Sequence, residues 1–537
     1  MIYDFVIVGA GSAGCILASR LSENGRYSVL LIEAGGKDDS FWFKIPVGYA
    51  KSYYNPKVNW MYSTEPEPAL GNRRIYVPRG KVQGGSGSIN AMVYVRGANA
   101  DFDDWAAAGN PGWTATDALP YFKALETHRH GASDYHGDNG PIHVTPMRGS
   151  THAVSDAFLK ACQELGLPAN DDFNGRDIEG AGVYDINTRN GQRSHSSAEY
   201  LRPALKRPNL AIERHAVAQR LLLSEDGRVE AVEVLQNGAI RLFKARREVI
   251  LAAGAVDTPK LMQLSGIGDG ALLFAHGIKT RRHLPAVGSN LQDHLCASFY
   301  YRANCPTLNG TFASLFGQAA LGLQYLLTRS GPFAMSVNQA GGFFRGAPDE
   351  SRPNIQLYFN PLSYRIPVNP RAGLTPEPYP GFLIAFNSCR PTSRGKITIG
   401  SNAPDAAPLI RPNYLSTERD IAEVIQGSRL VRRIAAAPTL AALIEEEVSP
   451  SPATDSDERL LDYFRQNSGS IYHLCGSCAM GPDDQTSVVD ARLRVHGIPG
   501  LRIVDASIFP NVTAGNINAP TMMVAEKGAA MILEDAR

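Results

Sequence analysis

The sequence lacks any concentration of charge of one sign. Its 53 basic residues almost cancel its 52 acidic residues, and no run of like charges stands out. Proteins that bind nucleic acid or acidic membranes usually carry a basic patch or stripe. The balance therefore removes the usual electrostatic signature of binding to nucleic acid or to acidic membranes, and nucleic acid is not expected as a partner. The sequence also lacks an apolar run of about 18 residues, so a membrane-spanning helix is not expected.

Cysteine is scarce as well, and its arrangement argues against a disulfide-rich secreted domain. The seven cysteines are odd in number and scattered along the chain, which is typical of reduced thiols. Met1–Asp4 runs directly into a strand pattern, without the basic start, apolar core and cleavage site of a secretory leader. We expect a cytoplasmic protein, with association with the inner face of the membrane as an alternative. The oligomeric state is left open.

The chain has enough material for more than one hydrophobic core. It has 537 residues, of which 44% are hydrophobic, together with 51 glycines and 35 prolines. A chain of this length usually divides into two or more domains. The composition fits a large, loop-rich globular enzyme.

A nucleotide-binding pattern opens the chain. A short apolar run at residues 4–8 leads to GAGSAG at 9–14, then to a helical pattern, a second strand at 28–32 and an acid, Glu33. This is the strand, glycine turn, helix, strand and acid order of a dinucleotide fold. The alternative is an ordinary strand–helix turn, and the motif alone does not separate FAD from NAD.

Each glycine of that motif has a separate physical role. Gly9 permits the tight turn, Gly11 lets the backbone approach a pyrophosphate, and Gly14 allows the helix to pack closely on the strand. The helix N-terminus attracts the phosphates. Glu33 is placed to accept hydrogen bonds from an adenosine ribose.

A second glycine-rich segment, RGKVQGGSGSIN at 79–90, precedes the apolar segment AMVYVRG at 91–97. Glycine and serine alone would suit a flexible linker. Because the flanking residues look buried, the glycines instead suggest backbone packed closely on a planar ligand.

Four segments in this order resemble the motifs of the glucose–methanol–choline (GMC) oxidoreductases, which are FAD-dependent and oxidise alcohols. They are 79–97, GAVDTPKLMQLSGIG at 254–268, GSNLQDH at 288–294 and VDASIFP at 504–510. The resemblance covers essentially the whole chain. Within the family, the chain most resembles bacterial alcohol and choline dehydrogenases. It implies an α/β fold in which a Rossmann-like FAD-binding domain is interleaved with an antiparallel-sheet α+β substrate domain.

The resemblance also implies where the domains and the cofactor site lie. We predict the FAD-binding domain at 1–150, 190–300 and 450–537, and the substrate domain at 151–189 and 301–449. The predicted FAD-binding residues are Gly9, Gly11, Ser12, Ala13, Gly14, Glu33, Ala34, Val82, Gly85, Ser86, Asn90, Ala91, Met92, Val93, Val217, Ala253, Gly254, Asp505, Ala506, Pro520 and Thr521.

Two residues depart from the family pattern, and a third, Ile89, indicates how FAD is bound. Gln83 replaces an aliphatic residue, and Gly87 lies in a run usually richer in serine. We expect both to alter local flavin packing. Some relatives attach FAD to a histidine at the position of Ile89, and isoleucine cannot form that bond. We therefore predict FAD bound without a covalent link.

The segment IYHLCGSCAMG at 471–481 places His473 two residues before a Cys-x-x-Cys pair. A zinc site would need further ligands at repeated spacing, and a redox dithiol normally opens a helix in a small βαβ fold. Neither context is present. We expect Cys475 and Cys478 to be small buried side chains.

His473 resembles the family histidine that faces the flavin. A second polar residue comes from the segment GNINAPTMM at 515–523, where Asn518 matches the partner position. A histidine has a pKa near neutral pH, about 6.5, and so suits removal of a hydroxyl proton. An amide can donate a hydrogen bond to the developing alkoxide without adding charge.

The substrate prediction depends on Gln339, which precedes Ala-Gly-Gly-Phe where choline-oxidising relatives would have a glutamate. The alternative is that Gln339 only hydrogen-bonds within its own domain. A neutral amide favours an uncharged primary alcohol, oxidised to the aldehyde by hydride transfer to flavin N5. The alternatives are a choline-type dehydrogenase, an alcohol oxidase that uses O₂, and a non-redox lyase that carries FAD. The expected partners are a small-molecule alcohol and O₂ or a quinone-like electron acceptor.

One helix is predicted at 315–327, within the substrate domain. Its many apolar residues favour packing in the core or between domains. The alternatives are a lid over the site or a patch on the membrane surface.

Overall fold

The computed structural model describes residues 1–365 and 374–537. The helices in these ranges include both long helices and single turns. They are α1 Ser12–Ser22, α2 Phe41–Lys44, α3 Tyr49–Ser52, α4 Asn99–Ala107, α5 Ala115–Leu125, α6 Ala153–Glu164, α7 Arg202–Ala204, α8 Gly254–Leu264, α9 Gly270–Ala275, α10 Leu308–Ala313, α11 Leu315–Thr328, α12 Glu418–Ala435, α13 Pro438–Ala441, α14 Asp457–Asn467 and α15 Asn518–Asp535.

The strands form two large sheets and several short pairs. They are β1 Ile2–Val8, β2 Val29–Ile32, β3 Tyr62–Ser63, β4 Tyr76–Val77, β5 Val93–Tyr94, β6 Glu126–His128, β7 Ile142–Pro146, β8 Gly180–Val183, β9 Asp185–Ile186, β10 Thr188–Arg189, β11 Gln192–Arg193, β12 Leu210–Glu213, β13 Ala216–Leu223, β14 Val229–Gln236, β15 Ala239–Leu251, β16 Ile267–Gly268, β17 Arg282–His283, β18 Leu295–Ala303, β19 Ala340–Phe344, β20 Ile355–Asn360, β21 Tyr364–Arg365, β22 Thr375–Pro376, β23 Gly381–Ser388, β24 Lys396–Thr398, β25 Leu409–Arg411, β26 Ile444–Ser449, β27 Gly469–Ser470 and β28 Leu501–Ile503.

The first sheet contains the predicted nucleotide strands. Its order is β12-β2-β1-β15-β14-β13, with β28 beside β15. Val6 of β1 pairs in parallel with Leu30 of β2 and with Val249 of β15. Helices α1 and α15 pack against each other beside this sheet. The central strands are apolar and buried, as expected for parallel strands covered by helices.

The second sheet is antiparallel, in the order β26-β18-β23-β20-β19-β8, with β27 beside β18. Along β18 the side chains alternate between two environments. Ala297, Phe299 and Tyr301 join a hydrophobic core that also holds residues of α6 and α12. Cys296 and Tyr300 instead line a large cavity. The alternation follows from the two-residue period of a strand, and it makes this sheet a wall of the cavity.

The predicted α/β fold with an interleaved antiparallel sheet is confirmed. The second sheet takes strands from 180–183 and from 295–449. One further strand, at 469–470, comes from a range predicted for the FAD-binding domain. The division into domains by residue number stays a prediction.

The helix predicted at 315–327 is present as α11, but its environment differs from the expectation. Only Leu321 and Tyr325 of this helix are buried. Packing in the core is therefore wrong for most of its surface, because the remaining apolar side chains face outward. Among the described residues, no helix combines the length and the apolar character that crossing a membrane requires.

Candidate active site

A cavity of about 960 Å³ lies between the two large sheets. Most of the predicted FAD-binding residues line it, whereas Gly14, Val82 and Pro520 do not. The predicted residues that line it are Gly9, Gly11, Ser12, Ala13, Glu33, Ala34, Gly85, Ser86, Asn90, Ala91, Met92, Val93, Val217, Ala253, Gly254, Asp505, Ala506 and Thr521.

The glycine motif forms one end of this cavity as expected from the sequence. Gly9 has φ 102°, and a Cβ there would lie 2.5 Å from the carbonyl oxygen of Ala252. A Cβ on Gly14 would lie 1.8 Å from the carbonyl oxygen of Gly9. Gly14 therefore acts through backbone packing and not by contact with a ligand. No side chain caps the N-terminus of α1, so its backbone N–H groups are available to a phosphate.

Glu33 lies at the end of β2, where its carboxylate is already anchored. Its two oxygens accept hydrogen bonds from the backbone N–H groups of Ala10 (2.9 Å) and Gly35 (2.7 Å). Burial raises the pKa of this carboxyl to about 7, against the opposing effect of these N–H groups. A buried acid held in this way suits recognition of ribose hydroxyls.

The second glycine segment approaches the first so closely that side chains would not fit. A Cβ on Gly85 would lie 2.7 Å from Cα of Gly11, and a Cβ on Gly87 would lie 2.6 Å from Oγ of Ser12. A side chain at position 87 would therefore require the Ser12 hydroxyl to move. The cradle formed by these two glycine segments fits a dinucleotide cofactor.

Gln83 does not line the cavity, so its predicted effect on flavin packing would act through the loop and not through contact. Its side chain is buried and hydrogen-bonds Asp38 (3.2 Å) and Ser197 (2.8 Å), and it accepts a bond from Arg214 (2.9 Å). Gln83 therefore connects the loop to the protein behind it.

At the other end of the cavity, His473 is held between two side chains. Its Nδ1 lies 2.8 Å from Nδ1 of His294, and its Nε2 lies 3.1 Å from Nδ2 of Asn516. His473 and Asn516 both line the cavity. Tyr472, directly before His473, has φ 73°, and its carbonyl accepts a hydrogen bond of 2.6 Å from Arg79. This bond supports a backbone conformation that is unfavourable for residues with a side chain.

The hydrogen bonds determine which nitrogen of His473 carries the proton. Nε2 of His294 lies 3.0 Å from the carbonyl oxygen of Cys389, and a carbonyl can only accept. In neutral His294 the proton is therefore on Nε2, and its Nδ1 accepts a hydrogen bond from the protonated Nδ1 of His473. Nε2 of His473 is left without a proton, facing the cavity. The amide of Asn516 agrees with this, because it donates to the same nitrogen.

Asn516 is oriented by a tyrosine. Its Oδ1 accepts a hydrogen bond of 3.3 Å from the Tyr358 hydroxyl, which leaves Nδ2 directed toward His473. A ligand oxygen between His473 and Asn516 would meet one acceptor and one N–H donor.

The predicted partner, Asn518, does not meet His473. Its Oδ1 accepts a hydrogen bond of 2.7 Å from Oγ of Ser12, at the start of α1. The chain turns at Gly515, which has φ 85°, and Asn518 already belongs to α15. Asn516 precedes the helix, and although both asparagines line the cavity, the Asn516 side chain is the one that reaches His473. The pairing of His473 with position 518 is therefore corrected to position 516.

The NLQDH segment explains how distant segments meet at this site. Gln292 and Cys475 exchange two backbone hydrogen bonds of 3.0 Å, and the Gln292 side chain accepts from the N–H of Val512 (3.1 Å). Asp293 accepts from the backbone N–H of His473 (2.8 Å). One short segment thus fixes both the histidine and the loop that leads to Asn516.

Burial controls the charge of the two histidines. It lowers the pKa of His473 well below its usual value, and the neighbouring His294 and Arg79 act in the same direction. Burial also lowers the pKa of His294, to about 4. Both imidazoles are therefore neutral at neutral pH, and His473 needs no prior deprotonation to act as a base.

Cys475 and Cys478 are buried, unpaired thiols, as predicted. Burial raises the pKa of each, which disfavours the reactive thiolate. Within residues 1–365 and 374–537, no cluster of His, Cys, Asp and Glu has the arrangement of a metal site.

Gln339 does not line the cavity, which disagrees with contact to substrate and agrees with the alternative of hydrogen bonding within the domain. Its side-chain oxygen accepts hydrogen bonds from the backbone N–H of His152 (2.8 Å) and from Oγ of Ser155 (3.0 Å). It stabilises the start of α6, on the far side of the second sheet.

Known proteins match the chain along nearly its whole length. Two family models described as GMC oxidoreductase match residues 3–296 and 391–525. An oxygen-dependent choline dehydrogenase of Rhizobium etli (strain CIAT 652) is 41% identical over 99% of this chain and 95% of its own length.

The chain belongs to the GMC oxidoreductase family.

Solved structures agree with this assignment. Pyridoxine 4-oxidase from Mesorbium loti has a TM-score of 0.88 at 30% identity, covering 98% of both chains. A FAD-dependent oxidoreductase from Chaetomium thermophilum has a TM-score of 0.91 at 26% identity, covering 100% of both chains. As a GMC oxidoreductase, the chain is a FAD-dependent enzyme that acts on CH–OH donors, and its small-molecule partners are an alcohol and an electron acceptor.

His294, Asn516 and Tyr358 were not predicted as site residues from the sequence. His294 ends the NLQDH motif, which was recognised in the sequence, so the signal for this residue was available. Asn516 and Asn518 are separated by one residue in NIN, and the sequence offers no way to choose between them. Tyr358 was only one of 21 tyrosines, and its role depends on the pairing of distant strands.

Proposed function

We propose that this GMC oxidoreductase converts an uncharged primary alcohol to the aldehyde, with His473 as the general base and Asn516 assisting. The observation that carries the proposal is the unprotonated Nε2 of His473 beside the amide of Asn516 in the cavity. Asn516 takes the place that the sequence analysis gave to Asn518. FAD, when bound, supplies the acceptor for the hydride that leaves the carbinol carbon.

His473 removes the hydroxyl proton. Its Nε2 accepts that proton while Nδ1 keeps its hydrogen bond to His294, so the developing imidazolium is stabilised on one side. Nδ2 of Asn516 donates to the substrate oxygen as negative charge grows there. The lowered pKa of His473 keeps it in the accepting form at neutral pH. His473 and Asn516 together make loss of the hydride easier, because the negative charge that grows on the substrate oxygen promotes departure of the hydride from the carbinol carbon.

The cavity wall favours an uncharged substrate. Strands β18, β20 and β23 present Cys296, Ser298, Tyr300, Tyr358 and Ala385 to the cavity. None of these is ionised at neutral pH, since burial raises the pKa of Cys296 to about 12 and that of both tyrosines above their usual value. Cavity-lining carboxylates lie outside these strands, at Glu33, Glu65, Asp257, Asp405 and Asp505.

Choline is the second candidate, because relatives named choline dehydrogenases are 41% identical and because tyrosine faces can hold a quaternary ammonium. The cavity is lined by Tyr49, Tyr53, Tyr364 and Tyr472 in addition to those on the strands. The comparison that separates the candidates is choline against 3,3-dimethylbutan-1-ol, which has the same shape without the charge.

We expect a higher kcat/KM for 3,3-dimethylbutan-1-ol and for benzyl alcohol than for choline. A higher value for choline would refute the uncharged substrate and leave the alcohol oxidation intact. If no alcohol reduces the flavin under anaerobic conditions, the redox function itself is wrong and the lyase alternative stands.

O₂ or a quinone-like molecule takes the electrons in this proposal, and the rate of flavin reoxidation by each distinguishes them. The cofactor is bound without a covalent link. Ile89 lines the cavity beside the glycine segment and has no group able to form such a bond. Denaturation should therefore release all of the flavin into the supernatant.

A further inference from the structure

Helix α11 exposes an unusual amount of apolar surface. Five of its large side chains point outward, two of them almost completely free of neighbours. Their exposed fractions are 82% for Leu315, 90% for Phe316, 58% for Leu323, 58% for Leu326 and 75% for Leu327. Apolar surface concentrated in this way usually marks an interaction site.

Two more exposed apolar side chains adjoin this helix. Phe41 and Trp42 on α2 are 47% and 45% exposed. The turns at 46–48 and 332–334 pack together and connect α2 to α11. The hydroxyl of Tyr325 on α11 also donates to the carbonyl of Gly191 (3.0 Å), in a hairpin that contacts α2. We call the exposed apolar side chains of α11, with Phe41 and Trp42, the apolar ridge.

The charge pattern around the apolar ridge is distinctive. Residues 303–328 contain no Asp, Glu, Lys, Arg or His, although 20% of the chain is charged. Exposed cations lie on α2, on the adjoining α3 and at the end of α11, at Lys44, Lys51 and Arg329, whereas Arg189 is ion-paired with Glu199 (3.8 Å). One exposed acid, Asp39, lies near the start of α2. The surroundings of the ridge are therefore net positive.

We propose that the apolar ridge and its flanking cations dock the enzyme on an anionic lipid bilayer. Apolar side chains on such a surface enter the boundary between headgroups and acyl chains, and basic residues beside them attract anionic headgroups. The helix lies along the bilayer and does not cross it.

The shape of the ridge favours lipid over a folded partner. Interfaces between proteins need matched shapes and a polar rim with hydrogen bonds. Leu315, Phe316 and Leu327 are 82%, 90% and 75% exposed, and α11 has no charged residue able to form an ion pair with a partner. A fluid bilayer accommodates protruding side chains without a matching surface.

Docking in this way would bring the bilayer close to the cavity. Leu308 and Phe312 of α10, directly before α11, pack in a cluster with Tyr49, Tyr53 and Tyr364. Those tyrosines line the cavity. The helix that directly precedes the lipid-facing α11 thus packs against the aromatic part of the active site.

The test is sedimentation of the FAD-loaded enzyme with vesicles of phosphatidylcholine and phosphatidylglycerol, and with vesicles of phosphatidylcholine alone. We expect binding to the anionic vesicles. A Leu315→Ser, Phe316→Ser and Leu327→Ser variant should reduce the partition coefficient by at least about ten-fold. Phe274→Ser is the matched control, since Phe274 on α9 is 86% exposed and lies outside the ridge.

The flanking charge is tested separately. Lys44→Ser combined with Arg329→Ser should weaken binding to the anionic vesicles and leave binding to phosphatidylcholine alone unchanged. The proposal is overturned if the wild-type enzyme binds neither vesicle, or if the triple variant binds as well as Phe274→Ser. It is also overturned if the wild type is a dimer that the triple variant converts to monomers without loss of vesicle binding. Turnover of a water-soluble alcohol should stay the same in all these variants.

Discussion

The two ends of the cavity are built by different means. At the nucleotide end, backbone approaches backbone, and glycine is required where Gly9, Gly14 and Gly85 meet other chain segments. At the reaction end, side chains from three distant segments meet, at His294, His473 and Asn516. The first kind of site can be recognised from residues that are close together in the sequence, whereas the second forms only once the chain has folded.

The largest expected effect at the reaction end is that of His473→Ala. Loss of the base should lower kcat by about 10²- to 10⁴-fold, while FAD stays bound because the nucleotide end is unchanged. Stopped-flow measurement of flavin reduction by alcohol gives the rate, and the visible absorption of the purified variant gives the FAD content. Nearly normal turnover would show that His473 is not the base. Loss of FAD would show that the two ends are not independent.

The second largest expected effect distinguishes the role of Asn516 from that of Asn518. Asn516→Ala should lower kcat by about 10²-fold, the usual cost of losing one donor to a developing oxyanion. Asn518→Ala should leave kcat near the wild-type value, because its side chain bonds Ser12 and not His473. Steady-state kinetics of the two variants, made side by side, decides between them. A large loss of kcat with Asn518→Ala and none with Asn516→Ala would restore the pairing expected from the sequence.

The smallest of the three effects concerns His294, a positioning residue. His294→Leu should lower kcat by about ten-fold, because Nδ1 of His473 then loses the acceptor that fixes its proton. His294→Asn should restore part of the rate, since its amide oxygen can accept that proton.

The pH profile of kcat/KM provides the second readout for His294. In the wild type, activity should fall only as the pH drops through a pKa below 6.5, because burial holds the pKa of His473 down. Removing His294 removes a group that lowers this pKa, so His294→Asn should move the acid limb to higher pH. An unchanged acid limb in this variant would contradict the role of His294.

The predictions made from the sequence succeeded or failed along the same division between local and distant contacts. The parallel strands, the glycine turn, Glu33 and the position of α11 were all predicted, because each depends on neighbours along the chain. The choice between Asn516 and Asn518 was wrong, since it depends on the turn at Gly515 and the exact start of α15. Gln339 was misplaced for a similar reason. It directly precedes β19, and whether its side chain faces the cavity or the start of α6 depends on how that strand pairs in the sheet.

Tyr358 has two structural roles that a single substitution would change together. Its ring forms part of the cavity wall, and its hydroxyl holds the amide of Asn516 in orientation. A smaller residue at 358 would admit a bulkier alcohol and at the same time release the group that steadies the reacting oxygen. Laboratory evolution toward larger alcohols should therefore accumulate changes at Cys296 or Tyr300, and leave position 358 alone.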